Sequence, residues 1–435
     1  MENDLSESHS NGERWTRTDT WAFWSFGLGM LLESYIFGMA SIATNWAPMP
    51  KSLQSLLLAW APIWLIIGIM VAGPLSDRIG RKNTFYSTMA LYGIGAIGIA
   101  FSHTYSLILL FLAVLLFAAG GEMNTIMAAS HEMMPTRHRS KTMFLELNFI
   151  NLGGFLLAAV SLLSIYNSVS FQRGMVAVTF IVVLFVLLLA RNRTPESIRW
   201  LQRKGYTERA KIEILKYYGA EEYARRESIV RQSVAATPTR KTSVALRLFV
   251  TITTAFAGTA GFGLMTYVLG PNYFKSLTAT IILVATGTGF ISGFLGIWAD
   301  QISRKTLLLI GYGGTFIMTL IIYLTTGEWS KDLTVFWILL VALNVFVNIS
   351  YLTEDTLKSE VWPTNTRGTY TAIVRFISIG LYIVTIYMSQ NYGLNEYMLF
   401  NLIVWIIGLA GALAWYFAGV ETGKGTTLES ASGED

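Results

Sequence analysis

Hydrophobic residues run along this chain in about twelve blocks of roughly 20, and short charged or polar stretches separate one block from the next. A helix of that length crosses the ~30 Å hydrocarbon core of a bilayer and closes its backbone hydrogen bonds internally, as the absence of water there requires. The pattern predicts an all-α membrane protein with twelve transmembrane helices in two sets of six. We place the spans at 20–43, 54–73, 84–102, 107–129, 143–166, 171–190, 246–270, 276–298, 306–326, 335–356, 369–390 and 396–418.

The composition argues against a soluble enzyme. Of 435 residues, 53% are hydrophobic and 14% charged, where an average soluble domain is roughly 25% charged. The chain has no cysteine, which excludes disulfides, thiolate nucleophiles and zinc sites built on sulfur. It also has no P-loop lysine motif, no nucleophile elbow and no histidine cluster. We therefore expect neither an enzyme nor an ATP-driven pump, and no cofactor or metal.

The basic residues favour one side of the predicted membrane. If the amino terminus is cytoplasmic, the short inner segments hold 13 Lys and Arg residues and the outer segments hold 4. This bias follows the positive-inside rule and predicts a multi-pass protein of the cell membrane with both termini in the cytoplasm. The net charge of +5 is spread over separate loops, so we expect contact with the lipid bilayer and no binding of nucleic acid.

A polar region separates the two sets of helices. Residues 191–245 are rich in Arg, Lys and Glu, and the spacing of Ala210, Ile214 and Tyr217 predicts an amphipathic helix near Thr207–Tyr218. The predicted organisation is a cytoplasmic segment at 1–19, a six-helix bundle at 20–190, a cytoplasmic helical linker at 191–245, a second six-helix bundle at 246–418 and a cytoplasmic tail at 419–435.

Short polar motifs recur at matching places in the two halves. DRIGRK at 77–82 follows the second span, and DQISRK at 300–305 follows the eighth. EMMPTRHR at 132–139 ends the fourth span, and EVWPTNTR at 360–367 ends the tenth. The paired motifs lie 223 and 228 residues apart. Nearly equal offsets indicate that one six-helix unit occurs twice.

The segment from Gly73 through DRIGRK resembles the hallmark of the major facilitator superfamily between helices 2 and 3. PESIRWL at 195–201 and ETGKGTTLE at 421–429 resemble segments of its sugar-porter branch, although the seventh span lacks the paired glutamines of hexose porters. LESYI at 32–36 is similar to an acidic element in the first helix of proton-coupled organic-acid and phosphate symporters. The resemblance implies two six-helix bundles that rock about a central site and open it alternately to each side.

Two acidic residues inside predicted spans are candidates for proton coupling. Glu33 lies near the middle of the first span and Glu122 somewhat past the middle of the fourth. An ionised carboxylate at mid-membrane costs roughly 3 kcal/mol or more, so such a group takes up a proton readily unless it is paired. The alternative is a structural hydrogen bond, which Gly120 and Gly121 favour for Glu122 by permitting a close helix crossing. We expect Glu146, near the cytoplasm, to be solvated or ion-paired.

Polar side chains on the predicted spans are candidates for substrate binding. We interpret Arg375 as the only basic residue inside a span; it shares one helical face with polar residues at 378, 382, 385 and 389. Arginine binds a carboxylate or phosphate through two parallel hydrogen bonds. Its alternative role is a structural latch with Glu354 or Asp355. The other candidates are Asn344, Asn348, Tyr267, Asn148, Asn151 and Tyr382, which suit a hydroxyl- or amide-bearing ligand, or else bond across helices for about 0.6 kcal/mol each.

The resemblance also implies salt bridges that close a cytoplasmic gate. Exposed ion pairs contribute only about 0–1 kcal/mol each, but a network that breaks whenever the site opens biases the two states by more. The residues assigned to it are Asp77, Arg78, Arg81, Glu132, Arg139, Glu196, Arg199, Asp300, Arg304, Glu360 and Arg367.

The function these features favour is secondary active transport. We expect a monomer that moves a small polar solute, such as a sugar, sugar acid or other organic acid, by alternating access as a proton symporter. Three alternatives stay open: a facilitative sugar uniporter, an exporter of amphipathic compounds with an aromatic-lined cavity, and a membrane sensor that does not transport.

Overall fold

The computed structural model describes residues 15–46, 51–135, 138–163, 168–221, 242–298, 301–362 and 367–423. Within these ranges, twelve helices are long and apolar enough to cross a membrane, as the hydrophobic pattern predicts. The first six are α1 (Arg17–Ala43), α2 (Lys51–Ile79), α3 (Arg81–Phe101), α4 (Tyr105–Met133), α5 (Arg139–Leu163) and α6 (Val169–Asn192). The largest difference from the predicted bounds is at α2, which continues six residues beyond 73 because its last polar turns remain helical outside the apolar span.

Two short helices, α7 (Ile198–Arg203) and α8 (Thr207–Tyr217), follow the sixth span. Ala210 and Ile214 of α8 are buried, and Ala210 joins Trp200 and Leu201 in a small apolar cluster. The amphipathic helix predicted in the polar region is therefore confirmed.

The second set of six helices begins with an interrupted span. Helix α9 (Val244–Gly263) continues through a π-helical turn at Leu264–Val268 into α10 (Leu269–Tyr273). π-Helical turns are rare in proteins, and those that occur often lie at functional sites. The other helices are α11 (Thr278–Gly293), α12 (Arg304–Leu324), the single turn α13 (Thr326–Trp329), α14 (Leu333–Glu360), α15 (Arg367–Ser389) and α16 (Leu394–Ala418).

The apolar side chains form one large buried cluster mainly from α1–α6 and another mainly from α9–α16, as expected for two bundles. Within the first bundle, α2 and α4 approach closely at Gly120, where a Cβ atom would lie 2.1 Å from the carbonyl oxygen of Leu65. The fold is thus all-α, with twelve membrane-spanning helices. We call the end of the molecule at which α1 begins and α16 ends the terminal face.

Two interpretations of the sequence are wrong. Arg375 is not the only basic residue inside a span, because α6 continues to Asn192 and includes a buried Arg191. Glu146 is not at the surface: it lies two turns into α5, is fully buried, and neither carboxylate oxygen has a hydrogen-bond partner among the described residues. Both errors come from placing helix ends by hydropathy, which stops at charged residues although the helix continues.

Candidate functional site: the cavity between the bundles

A cavity of about 130 Å³ lies between the two sets of helices. Helices α1, α2, α4 and α5 line it on one side, and α9, α11, α14 and α15 on the other. The residues that the sequence analysis singled out and that line it are Glu33, Asn151, Tyr267, Asn344, Asn348, Arg375 and Tyr382. Its charged residues are Glu33 on one wall and Glu354, Asp355, Lys358 and Arg375 on the other.

Arg375 bridges the two walls. Its Nη2 atom lies 3.1 and 3.4 Å from the two carboxylate oxygens of Asp355, which is the geometry of the predicted latch. Its Nη1 atom points across the cavity to Met123 Sδ at 3.0 Å. Because a thioether is a weak acceptor, Nη1 keeps donor capacity for a better ligand. Arg375 therefore forms the latch with Asp355 and also lines the cavity, so the two roles considered for it are compatible.

Glu33 faces the cavity from α1 with 7% of its surface exposed. Its Oε2 atom is buried and has no hydrogen-bond partner within the described part of the chain. The cations on the opposite wall already hold Asp355 and Glu354. Buried polar atoms are ordinarily satisfied, so this carboxyl group is available to a proton or a ligand.

The asparagines join the two walls to each other. Asn151 of α5 donates to Asn348 Oδ1 of α14 at 2.8 Å, and Asn348 donates to Ser292 Oγ at 3.2 Å. Asn148 donates to the carbonyl oxygen of Phe290 at 3.0 Å and is not among the residues that line the cavity. Asn344 donates to Leu340 O at 2.8 Å. Asn148 and Asn151 thus hold α5 against the second bundle.

Aromatic rings line the cavity towards the end away from the terminal face. The Tyr267 ring centre lies 5.2 Å from that of Phe37 and 5.7 Å from that of Phe262. Tyr267 belongs to the π-helical turn, and its carbonyl oxygen accepts a hydrogen bond from Ser41 Oγ at 2.8 Å. This contact ties α1 to the interrupted span.

Glu122 lies outside the cavity lining. It forms a buried ion pair with Arg191, and its second oxygen accepts from Thr88 Oγ1 at 2.9 Å. The Arg191 guanidinium also stacks 3.4 Å over the ring of Phe85. These contacts match the structural alternative considered for Glu122.

Ion pairs connect the helix ends at the terminal face of the first bundle. Arg81 Nη1 lies 2.7 Å from Asp77, and Nη2 lies 2.9 Å from Glu132. Glu196 accepts hydrogen bonds from the backbone N–H groups of Arg81 and Lys82, at 3.0 and 3.2 Å, and so caps α3. Burial raises the pKa of Glu196, against the opposing effect of these hydrogen bonds and the Arg81 charge.

Gly80 makes that cap possible. Its φ angle of +96° favours glycine, and a Cβ atom there would lie 2.4 Å from Glu196 Oε2. The glycine of DRIGRK therefore serves both the turn between α2 and α3 and the approach of Glu196.

The second bundle repeats the arrangement with an acid that the sequence analysis left out of the gate. Arg304 Nη2 lies 3.2 Å from Glu360. Glu421 accepts from Arg304 N at 2.7 Å and from Ser303 Oγ, and so caps α12 as Glu196 caps α3. The signal was present in the sequence, because Glu196 and Glu421 lie 225 residues apart, close to the offsets of the other repeats.

The geometry and the sequence point to one family. A family model for the major facilitator superfamily matches residues 21–381. The chain belongs to the major facilitator superfamily.

The similar proteins are transporters of small metabolites. The glucose transporter GlcP of Staphylococcus epidermidis is 25% identical over 90% of this chain and 91% of its own length. The niacin transporter NiaP of Acinetobacter baylyi is 25% identical over 43% of each chain. The structure of the E. coli proton:xylose symporter XylE superposes with a TM-score of 0.72 at 18% identity, over 95% of this chain and 98% of that one. The protein is a multi-pass membrane transporter and not an enzyme.

Several gate candidates of this superfamily member have no described side-chain geometry. Asp300 and the side chains of Arg139, Arg199 and Arg367 lie outside the described residues. Arg78 is exposed at the end of α2. At the terminal face the Arg304 guanidinium lies 5.0 Å over the ring of Phe144 of α5, a contact between the two bundles.

Proposed function

We propose that this superfamily member carries a small organic acid, such as a sugar acid or an aromatic carboxylate, together with a proton by alternating access between its two bundles. The terminal face is proposed to lie in the cytoplasm, where the ion pairs of Arg81 and Arg304 close the cavity. The predicted halves, 20–190 and 246–418, are the two moving bodies in this proposal.

The observation that carries the proton-coupling proposal is the buried Oε2 atom of Glu33 on the cavity wall, which has no hydrogen-bond partner in the described ranges. A group that gains and loses a proton within the site links protonation to substrate occupancy. Glu122 stays a second candidate because its ion pair with Arg191 contacts α1 at Gly29, one turn from Glu33.

Arg375 supports an acidic substrate. A guanidinium carries five N–H donors. Arg375 contacts Asp355 through Nη2, whereas its Nη1 contacts the thioether of Met123 and is therefore available for a substrate oxygen. Binding there exchanges a weak thioether contact for a charge-assisted hydrogen bond. Asn344, Asn348 and Tyr382 line the same wall and suit hydroxyl groups of a sugar acid.

The charge of the cavity favours one proton per monovalent anion. Glu354 and Asp355 balance Lys358 and Arg375, so an empty cavity with ionised Glu33 holds one negative charge. An anion alone would make two, whereas an anion with a proton on Glu33 restores one. The empty and the loaded cavity then carry the same charge, so a full transport cycle moves one anion and one proton with no net charge. A pH difference of one unit then supports about tenfold accumulation, because one pH unit corresponds to about 1.4 kcal/mol.

The test uses purified protein in liposomes with an imposed pH gradient. We expect Glu33→Gln to lose accumulation of the substrate carboxylate but to retain exchange between the two sides, since exchange needs no net proton movement. The matched control is Glu146→Gln, a buried acid outside the cavity lining. Equal accumulation by Glu33→Gln and wild type would refute the role of Glu33.

A neutral sugar is the second candidate substrate. It is favoured by the similarity to the glucose transporter GlcP over 90% of this chain. A bound ligand raises the thermal stability of the purified protein by RT ln(1 + [L]/Kd). Stabilisation by sugars and by no carboxylate would select this candidate.

A further inference from the structure

Lys358 is a cavity residue whose contribution so far is one positive charge in the balance of the site. It lies on α14, two residues before the helix ends, and its side chain is 5% exposed. Its Nζ atom lies 2.5 Å from Asp355 and 3.5 Å from Glu354. A buried lysine ammonium in a membrane-spanning helix is stabilised by pairing with carboxylates. The contacts of Lys358 with Asp355 and Glu354 therefore indicate its role.

Asp355 is shared between two cations from different helices. Lys358 reaches it within α14, at a separation of three residues along the helix. Arg375 reaches it from α15 with Nη2, at 3.1 and 3.4 Å. The contact within α14 depends on one helix only, whereas the contact with Arg375 depends on two.

This sharing bears on how an anion reaches Arg375. A substrate carboxylate can first bind Nη1, but a second, parallel hydrogen bond to Nη2 competes with Asp355, which accepts from that atom. A buried carboxylate that loses its only cation is strongly destabilising. With Lys358 in place, Asp355 keeps a cation when Arg375 turns towards the substrate.

We propose that Lys358 is a specificity-determining residue for anionic substrates: it holds Asp355 at 2.5 Å and so releases Arg375 to bind the substrate carboxylate. The inference rests on the proposed function, because it assigns the substrate anion to Arg375. The inference differs from a simple balance of charge in the cavity. It requires that Lys358 pair with Asp355, the carboxylate that competes for Arg375, and not merely with any nearby acid. Lys358 touches both Glu354 and Asp355, and this provides the control.

The experiment measures ligand affinity from thermal unfolding of the purified full chain. The probes are gluconate and benzoate, with glucose and benzyl alcohol as neutral counterparts. Lys358→Gln is expected to weaken carboxylate affinity about tenfold, which corresponds to about 1.4 kcal/mol, and to leave the affinity for any neutral probe unchanged. Lys358→Arg keeps the charge and is expected to retain the wild-type affinity for carboxylates.

Two double variants with equal net charge separate the inference from charge balance. Asp355→Asn/Lys358→Gln removes the competitor for Arg375 and is expected to restore carboxylate affinity to within about threefold of wild type, a difference below 1 kcal/mol. Glu354→Gln/Lys358→Gln leaves Asp355 without its lysine and is expected to stay as weak as Lys358→Gln. Equal rescue by both double variants would overturn the inference.

The other outcomes are also decisive. If Lys358→Gln does not fold, the single variant Asp355→Asn tests the same competition: unchanged or tighter carboxylate binding supports the inference, and weaker binding overturns it. If carboxylates stabilise wild type and Lys358→Gln equally, the inference is refuted and the proposed function is unaffected. Wild type that responds to no carboxylate refutes the anionic substrate and the role of Lys358 with it.

Discussion

Arg191 on α6 and Glu122 on α4 form an ion pair inside the first bundle, with side chains that are 2% and 0% exposed. The pair packs against α1 at Gly29. A Cβ atom at this position would lie 2.6 Å from Glu122 Oε1 and 3.0 Å from Arg191 Nη2. Three helices therefore meet at one charged contact, and its loss affects the whole bundle.

We expect Glu122→Gln to destabilise the protein strongly. Removing one partner of a buried ion pair leaves an uncompensated charge, which costs about 3–5 kcal/mol. The measurement is thermal unfolding of the detergent-purified protein.

The control is Glu146→Gln, which replaces a buried acid that has no hydrogen-bond partner among the described residues. We expect it to be nearly neutral, because it replaces one unpaired polar group by another of the same size and breaks no ion pair. If both variants unfold at the same temperature as wild type, the ion pair does not stabilise the bundle.

Loss of Arg81 should open the cavity towards the terminal face. Arg81 holds both Asp77 and Glu132, so Arg81→Ala removes two ion pairs at once. The chain has no cysteine, and a single cysteine at the cavity residue Ser378 therefore reports access to a thiol reagent. We expect labelling of Ser378→Cys from the terminal face to rise about fivefold when Arg81→Ala is added, equivalent to about 1 kcal/mol.

The matched comparison is Arg78→Ala, which removes an exposed arginine from the same motif. Labelling in that background should equal that of Ser378→Cys alone. Equal labelling with and without Arg81 would show that its ion pairs do not close the cavity.

A side chain at Gly293 should displace the Asn148 amide and so disturb the contact between α5 and α11. A Cβ atom there would lie 2.0 Å from Asn148 Oδ1 of the opposite bundle. We expect Gly293→Ala to lower the transport rate at least tenfold, because the clash, on the order of 1–3 kcal/mol for overpacking, falls on the contact that must close.

Gly380→Ala on α15 is the control, since no atom of the described residues lies within 4 Å of a Cβ placed there. Alanine at this helical site should leave transport unchanged and stabilise the protein by up to about 1 kcal/mol. A Gly293→Ala protein that transports as well as Gly380→Ala would show that the α5–α11 contact is not limiting.

The two equivalent caps should respond to pH in opposite directions. For Glu421, burial acts to raise the pKa, but hydrogen bonds from Ser303 and from the backbone of Gly423 and Arg304 outweigh it and hold the pKa below its ordinary value. A carboxyl group with a depressed pKa adds stability that is present above its unfolded pKa, about 4.3, and is lost as pH falls through the folded value. The stability difference between wild type and Glu421→Gln should therefore shrink as pH falls below about 4.

Burial instead raises the pKa of Glu196. The fold then favours its protonated form, and the contribution of Glu196 to stability falls as pH rises from about 4.3 towards the raised value. Thermal unfolding of Glu196→Gln and Glu421→Gln between about pH 2.5 and 7 checks both signs, since the Glu421 effect lies below about pH 4 and the Glu196 effect above it. Parallel trends for the two variants would contradict the assignment.

Several features of the site were predictable because they depend on helical spacing alone. The stripe Asn344, Asn348, Tyr351 and Asp355 has the period of one helix face, and all four residues line the cavity. Glu421 was predictable as well, since it repeats Glu196 at the offset of the other motifs. Local pattern thus identifies which residues of a helix turn the same way.

Partners on other helices were not predictable. Nothing in the spacing of Glu122 indicates that Arg191 lies beside it, because 69 residues separate them. Likewise, Asn148 and Asn151 lie one helical turn apart on the same face of α5. Asn151 lines the cavity, whereas Asn148 donates to Phe290 O of α11 and is not part of the lining.

The sequence by itself determined twelve apolar spans, their repetition and the polar face of each helix, because the thickness of the bilayer and the period of the helix act locally on the chain. Only the tertiary structure decided that Arg375 and Lys358 share Asp355, while one oxygen of Glu33 has no partner among the residues described. The physical reason is that charges inside a membrane are governed by their nearest partners, and those partners come from helices that are distant in sequence.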